Sequence, residues 1–269
     1  MARGSRVRIL SLGAGVQSTT LYLMACVGDL SPAPDHAIFA DTGWEPRAVY
    51  RHLEWLRSQA FGIPISIVSK GNIRDDLVTA VKDRRFATMP FHVRNEDGRA
   101  AMLRRQCTRE YKVEPITREI RRLLGVPKGA RVQAAVEQWF GISLDEAARM
   151  RDSRYPWITN RYPLIEMRMR RSDCLRWLKD QAFPRPAKSA CIGCPFHDNA
   201  TWREMKRDRA EEWTDAVAFD RLIRGGLRGV KCEAFLHRSL RPLDQVELNG
   251  DQRQHQFAFV DECEGMCGT

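Results

Sequence analysis

The first third of the chain alternates short apolar runs with segments of helical periodicity. Residues 7–12, VRILSL, form a continuous run of the kind found in a buried parallel strand. Two similar runs, at 35–43 and 64–71, predict a second and a third strand. Helices are predicted between and after these strands, over residues 18–30, 45–59 and 72–85. This alternation predicts an α/β fold built on a doubly wound parallel sheet with right-handed crossovers.

The pattern beyond residue 84 is less regular. Residues 84–107 are expected to form an irregular loop or hairpin, and RYPLIEM, at 161–167, a short extended piece. A fourth strand is predicted over 131–143. Helices are predicted over residues 114–125, 144–151 and 171–183, the last with Ser172 or Asp173 as its N-cap, and a helical pattern continues to about residue 224.

A Pro-rich segment with two cysteines, residues 184–199, follows the helix that ends at residue 183. We take it as the boundary between two parts. Residues 1–183 are predicted to form the α/β domain, and residues 184–269 a smaller, cysteine-bearing C-terminal region that packs on the functional site.

The charge balance of the chain is basic. Its 269 residues include 44 Lys and Arg against 34 Asp and Glu, which gives a formal net charge of +10. Such an excess attracts polyanions, either nucleic acid or small nucleotides, and the alternative is an ordinary solvated Arg-rich surface. The local clusters are Arg104-Arg105, Arg121-Arg122 and the arginines of residues 168–171.

The cysteine content bears on both location and chemistry. The sequence starts with basic residues that run directly into a strand, and no apolar run approaches the roughly 20 residues that span a bilayer. We therefore expect a cytoplasmic protein without a membrane partner, in which thiols stay reduced. Its eight cysteines are then expected to act as metal ligands or redox groups rather than in disulfides.

The turn between the first strand and the first helix, GAGVQST at 13–19, is a candidate anion site. Small residues there expose backbone N–H groups at the start of a helix, which favours a phosphate. The turn lacks the last glycine of the dinucleotide pattern, because Ser18 occupies that position. It also lacks the Gly-Lys-Ser/Thr of the Walker pattern.

Five segments in order resemble the PP-loop ATP pyrophosphatase superfamily, in particular its branch of phosphoadenosine phosphosulfate (PAPS) reductases. They span about residues 7 to 200 and imply a fold like that of the adenine nucleotide α-hydrolases. The segments are GAGVQST (13–19), FADTG (39–43), KVEPI (112–116), YPLIEMRMRRSDCLRWL (162–178) and CIGC (191–194).

The resemblance implies where an adenine nucleotide would bind. Residues of the first turn would line or approach the phosphates, and the end of the second strand would lie at the adenosine side. The family's Lys and Asp in the loop are Val16 and Gln17 here, so the missing positive charge is expected from Lys112 or Arg109. The implied nucleotide-binding residues are Ser11, Gly13, Gly15, Gln17, Ser18, Thr19, Asp41, Thr42 and Gly43.

The same resemblance implies a 4Fe–4S cluster on Cys107, Cys191 and Cys194, and a tetrahedral zinc site is the competing metal assignment. One cysteine of the family's Cys-Cys pair is Thr108 here. The fourth ligand is expected to be Cys263 or Cys267 of the tail, or absent, which leaves one iron open. Either tail cysteine is also a candidate nucleophile.

Three functions follow as expectations. The first is ATP- and Mg²⁺-dependent adenylation of a nucleic acid, tRNA or DNA, for thiolation by a sulfur donor protein. The second is reduction of a sulfonucleotide, in which a tail thiolate attacks the sulfur and a reductant protein releases sulfite. Against it, Ser143 and Leu144 stand where the reductases carry arginines. The third is a non-catalytic nucleotide or nucleic-acid-binding module. A homodimer is a further expectation.

Overall fold

The computed structural model describes residues 6–59, 61–83, 89–95, 97–225 and 232–248. Within this part of the chain there are eight strands. In chain order they are β1 (Val7–Ser11), β2 (His36–Asp41), β3 (Ile65–Ser69), β4 (His92–Arg94), β5 (Ala100–Met102), β6 (Val136–Phe140), β7 (Ile158–Arg161) and β8 (Ala234–Phe235).

The described helices follow the strands in the order that a doubly wound fold requires. A π-helix, Arg109–Val113, leads directly into the fourth α-helix, and a 3₁₀ segment, Leu144–Arg149, follows β6. The α-helices are α1 (Val16–Val27), α2 (Arg47–Ser58), α3 (Ile73–Asp83), α4 (Glu114–Leu123), α5 (Pro163–Glu166), α6 (Arg171–Asp180), α7 (Asn199–Asp208) and α8 (Ala210–Arg224).

Five strands form one sheet in the order β3-β2-β1-β6-β7, and every neighbouring pair is parallel. The prediction of an α/β fold on a doubly wound parallel sheet is therefore confirmed. The strand order reverses between β1 and β6, so the crevice above their carboxyl ends is the place where such sheets bind ligands.

A second, antiparallel sheet has the order β5-β4-β8. Strands β4 and β5 lie within residues 84–107 and pair as a hairpin, as the sequence predicted. Strand β8 comes from the C-terminal region and pairs with β4, so the two predicted parts of the chain share this sheet.

Two predictions for the last third of the α/β part were wrong. The segment at 161–167 is not extended, since Pro163 starts α5, and the preceding residues form the edge strand β7. The N-cap of α6 is Arg170 rather than Ser172 or Asp173. Asp173 instead lies at the third helical position, where its carboxylate accepts the Arg170 backbone N–H at 2.8 Å, which is one of the two hydrogen bonds of a capping box.

The buried apolar residues form two main clusters. One lies between α1, α2 and α6 and the sheet, and it includes Trp139 and Cys174. The other joins residues that follow β2, including Trp44, to the cysteine segment and helices α7 and α8. This second cluster holds the C-terminal region against the carboxyl ends of the strands. No helix among the described residues is both long and apolar enough to cross a bilayer.

Candidate nucleotide and thiol site

The turn between β1 and α1 is closed by its own side chains. The Gly13 backbone N–H donates to Ser18 Oγ at 3.1 Å, and the Thr19 N–H donates to the Gly15 carbonyl at 3.0 Å. Ala14 holds a φ of 57°, a left-handed conformation that is costly for a residue with a side chain. The turn leads into the N-terminus of α1, where a helix favours an anion, and its role as an anion site stays a prediction.

Residue 141, just after β6, touches the back of this turn. A Cβ placed on Gly141 would lie 2.5 Å from the Ser18 backbone nitrogen and 2.8 Å from its Cα. These distances are far below any real carbon contact, so the close approach of the two backbones requires glycine. The end of β6 thereby fixes the position of the α1 N-terminus.

Gln17 is bound by protein groups at both ends of its amide. Its Oε1 accepts from Arg171 Nη1 at 2.7 Å, while its Nε2 donates to Glu146 Oε2 at 3.0 Å and to Ser143 Oγ at 3.4 Å. Arg149 pairs with the same Glu146. Gln17 thus joins the first turn of α1 to α6 and the 3₁₀ segment, a role that the resemblance did not imply.

Ser11 and Thr19, which are also predicted nucleotide-binding residues, each have a side-chain hydrogen-bond partner. Ser11 Oγ accepts from Gln138 Nε2 at 2.7 Å across the β1–β6 pair. Thr19 Oγ1 lies 3.1 Å from His52 Nε2 of α2. Burial lowers the pKa of His52 from 6.5 to about 4, so this ring is neutral at pH 7. The predicted phosphate loop is therefore braced on both sides.

The end of β2 is a compact polar turn. One carboxylate oxygen of Asp41 accepts the Gly43 N–H at 2.7 Å and the Tyr50 hydroxyl at 2.8 Å. The Thr42 hydroxyl donates to Glu45 Oε1 at 3.0 Å. Since β1 and β2 are paired in parallel, with Ser11 opposite Ile38, this turn lies beside the phosphate loop.

Glu45 connects three functional groups and was missed by the sequence analysis. Besides Thr42, its Oε1 lies 3.9 Å from Lys112 Nζ and 3.9 Å from Cys191 Sγ. The side chain is 1% exposed, and its second oxygen, Oε2, has no hydrogen-bond partner among the described residues. A buried carboxylate with one open acceptor is costly, which makes it a candidate functional group. The only sequence signal was an acid two residues after the D-T-G turn.

Of the two residues predicted to supply the missing positive charge, the structure brings only Lys112 to this turn. Lys112 lies in the π-helix and its side chain is 6% exposed. Single π-helical turns are frequent at functional sites. The side chain of Arg109 is 63% exposed and pairs with Glu114 at 3.1 Å.

The cysteine loop is attached to the end of β2. Cys191 Sγ lies 3.3 Å from Thr42 Oγ1, and the Ile192 N–H donates to the Trp44 carbonyl at 2.9 Å. Residues 192 and 193 form a turn in which the Cys194 N–H donates to the Cys191 carbonyl at 3.0 Å. A Cβ on Gly193 would lie 2.1 Å from the Trp44 ring, so the loop packs directly on the indole.

The buried His197 side chain contacts the backbone of the same loop. Its Nε2 lies 3.0 Å from the Cys191 carbonyl, an acceptor, so this nitrogen carries the proton. Burial, the largest cause, and the neighbouring Lys188 lower the pKa of His197 to about 3. The ring is thus neutral and holds the backbone of the cysteine turn.

The predicted cluster ligands come together only in part. Cys107 and Cys194 pack, partly buried, against the same apolar cluster that contains Cys191. Among the described residues, however, no group of three or more His, Cys, Asp or Glu side chains is arranged to hold a metal ion. The tail cysteines, Cys263 and Cys267, lie outside the described residues. The side chains as placed do not fit a cluster, and the 4Fe–4S assignment stays a prediction.

Comparison with known proteins adds a likeness of structure only. The chain matches no protein-family model and no curated protein. Its structure is similar to the crystal structure of phosphoadenylyl-sulfate (PAPS) reductase from Candida auris in a phosphate complex. The TM-score is 0.44 with 16% identical residues, over 68% of this chain and 76% of that chain.

Proposed function

We propose that the chain is an enzyme that binds an adenine nucleotide across the ends of β1 and β2 and carries out sulfur chemistry on it. The specific reaction is reduction of a sulfonucleotide, adenylyl sulfate or its 3′-phosphorylated form, to sulfite. The observation that carries the proposal is the position of the Cys191 thiol, 3.3 Å from the Thr42 hydroxyl and next to the strand that leads into the phosphate loop.

The anionic 5′ end of the nucleotide is bound by the first turn of α1. Its backbone N–H groups and the helix dipole favour a phosphate at that position. Lys112 supplies the positive charge that Val16 does not, because its ammonium group is buried beside the end of β2. A buried cation interacts with a phosphate or sulfonate more strongly than an exposed one.

The reaction needs one nucleophilic thiolate and one external reductant. The thiolate attacks the sulfonyl sulfur, a sulfur–sulfur bond forms, and the sulfur–oxygen bond to the phosphate breaks. The adenosine phosphate leaves with the electron pair of that bond. A second thiol then attacks the first sulfur and expels sulfite, and the disulfide that forms is reduced by an external dithiol. The chain's contribution is positioning and stabilisation of charge.

A second candidate is ATP-dependent thiolation of a nucleic acid. Two observations favour it. The net charge of +10 suits a nucleic acid, and Ser143 and Leu144 occupy the positions where the resemblance expects arginines that face a sulfonate. There Ser143 contacts Gln17, and the nearby Arg149 is paired with Glu146. In that reaction an acceptor oxygen attacks the α-phosphorus of Mg²⁺-bound ATP, pyrophosphate leaves, and sulfur from a donor protein displaces AMP.

The test offers the purified chain three substrates with a dithiol reductant: adenylyl sulfate, its 3′-phosphorylated form, and ATP with Mg²⁺ and tRNA. We expect sulfite and the matching adenosine phosphate from a sulfonucleotide, and loss of turnover in Ser18→Ala, which opens the phosphate turn. Pyrophosphate release from ATP instead would establish the second candidate. Tight nucleotide binding without any product would leave a non-catalytic module, and no binding at all would refute the site.

A further inference from the structure

We infer that Cys191 and Cys194 form a catalytic dithiol, in which Cys191 accepts the sulfonate and Cys194 releases sulfite from it. This inference rests on the proposed sulfonucleotide reduction and assigns its two thiols. It differs from the expectations drawn from the sequence, in which these cysteines hold a metal and the nucleophile is Cys263 or Cys267.

The first argument is the place of Cys191 in the fold. Its sulfur contacts Thr42, at the carboxyl end of β2, and the phosphate loop follows β1, the strand paired with β2. Adjacent strands lie about 4.8 Å apart, so a nucleotide held at the start of α1 passes within reach of this thiol. The thiol lies at the carboxyl ends of the strands, one strand away from the β1–β6 switch point.

The second argument is a hydrogen-bond chain that leads away from the thiol. The Thr42 hydroxyl donates its proton to Glu45 Oε1, so the Cys191 S–H faces the Thr42 oxygen and, at 3.9 Å, the same carboxylate. Glu45 Oε2 is buried and has no hydrogen-bond partner among the described residues. The Cys191 thiol therefore lies at the start of a hydrogen-bond chain that runs through the Thr42 hydroxyl to Glu45 Oε1.

The third argument is the geometry of the second cysteine. Residues 191–194 form a turn closed by the Cys194 N–H to Cys191 carbonyl bond at 3.0 Å. The first and last Cα atoms of such a turn lie within about 7 Å, which is the range that a disulfide spans. Cys191 is buried while Cys194 is partly exposed, so an external dithiol reaches the Cys194 sulfur and leaves the Cys191 thiolate in the site.

The two steps balance with a dithiol as the only co-reactant. The Cys191 sulfur forms a bond to the sulfonyl sulfur, the sulfur–oxygen bond breaks, and the adenosine phosphate leaves. The Cys194 thiolate then attacks Cys191 Sγ, which forms the Cys191–Cys194 disulfide and expels sulfite with its electron pair. The two cysteines lose two electrons, the sulfate sulfur gains them, and the dithiol restores both thiols.

The experiment uses the full chain and adenylyl sulfate without a reductant. The wild type is expected to release one sulfite per chain and to lose two titratable thiols. Cys194→Ser is expected to release adenosine phosphate but no sulfite, and to gain the mass of one sulfonate on the peptide that contains Cys191. Cys232→Ser is the matched control, since this cysteine packs against the same apolar cluster, and it should behave as the wild type.

Three results would overturn the inference. A sulfonate on the peptide that contains Cys263 or Cys267 would move the nucleophile to the tail. Sulfite release by Cys191→Ser would exclude Cys191. A metal or iron–sulfur cluster that the purified protein carries and that both Cys191→Ser and Cys194→Ser lose would return the two cysteines to a ligand role. If instead the wild type with excess dithiol yields neither product, the proposed function itself fails.

Discussion

Replacing Gly141 by alanine tests the braced phosphate loop most directly. The added Cβ would meet the Ser18 backbone nitrogen at 2.5 Å, where carbon contacts are normally about 3.5–4.0 Å. The nearest atoms all belong to the backbone of Gln17 and Ser18, so no flexible side chain can move aside. The first turn of α1 must therefore shift by about 1 Å.

This shift has a cost that can be estimated. Overpacking of a well-packed site destabilises by about 1–3 kcal/mol, and the upper end applies because the obstacle is backbone. For a domain of this size each kcal/mol lowers the melting temperature by about 2–4 °C, so we expect a decrease of about 6–12 °C. We also expect AMP affinity to fall by at least about tenfold, since displaced amides no longer meet the phosphate.

The assay is isothermal titration with AMP alongside thermal unfolding. Gly225→Ala is the control, because it makes the same chemical change at the end of α8, where the nearest atom of the described residues, its chain neighbours aside, is the Leu222 carbonyl oxygen at 3.3 Å from the new Cβ. It should leave AMP affinity unchanged. If Gly141→Ala binds AMP as tightly as the wild type, the loop does not hold the phosphate and the proposed site is wrong.

Three further predictions concern the surroundings of the loop. Lys112→Met removes the cation that pairs with the buried Glu45 carboxylate, so the free energy of unfolding measured in urea should fall by about 3 kcal/mol. The double variant Lys112→Met/Glu45→Gln should recover most of that loss. Equal losses in the single and double variants would show that the two residues are not coupled. Gly193→Ala should lower the melting temperature of the protein and the reactivity of the Cys191 and Cys194 thiols, because its Cβ would lie 2.1 Å from the Trp44 ring. An unchanged melting temperature would contradict that packing. The pKa of His52 is lowered from 6.5 to about 4, so the unfolded chain takes up a proton first and stability should fall as pH drops below about 6.5. The contribution of His52 to this loss is about 2 kcal/mol between pH 7 and pH 5, and His52→Gln should remove that part of it, while the part that comes from His197, whose pKa is lowered to about 3, remains.

The first three strands of the sheet and the turn between β1 and α1 were predictable because each depends on local sequence. Continuous apolar runs identified β1, β2 and β3, and small residues followed by hydroxyl residues identified the start of α1. The edge strand β7 was missed because its four residues, ITNR, lack an apolar run. Its assignment as a strand depends on pairing with β6, which a local pattern does not contain.

The roles of individual site residues were harder to predict, because they depend on partners distant in sequence. Gln17 looks like a ligand residue by its place in the loop, yet Arg171 and Glu146, each more than a hundred residues away, occupy its amide. Glu45 carries no motif of its own. It becomes a candidate only when the fold brings Lys112 and Cys191 to its carboxylate.

The departures of the loop from the PP-loop pattern that it resembles are consistent with the rest of the site. A lysine at position 16 would supply its charge from the helix that binds the phosphate, whereas here that position is a buried valine. The π-helix before α4 brings Lys112 to the end of β2 instead, beside Glu45, whose Oε1 also lies 3.9 Å from the Cys191 sulfur. The positive charge thus lies at the end of β2, with the Glu45 carboxylate in contact with both Lys112 and the Cys191 sulfur, rather than within the turn after β1. In the proposed sulfonucleotide reduction, Lys112 would stabilise the sulfonate in transfer, with Glu45 beside it as the buried counter-charge.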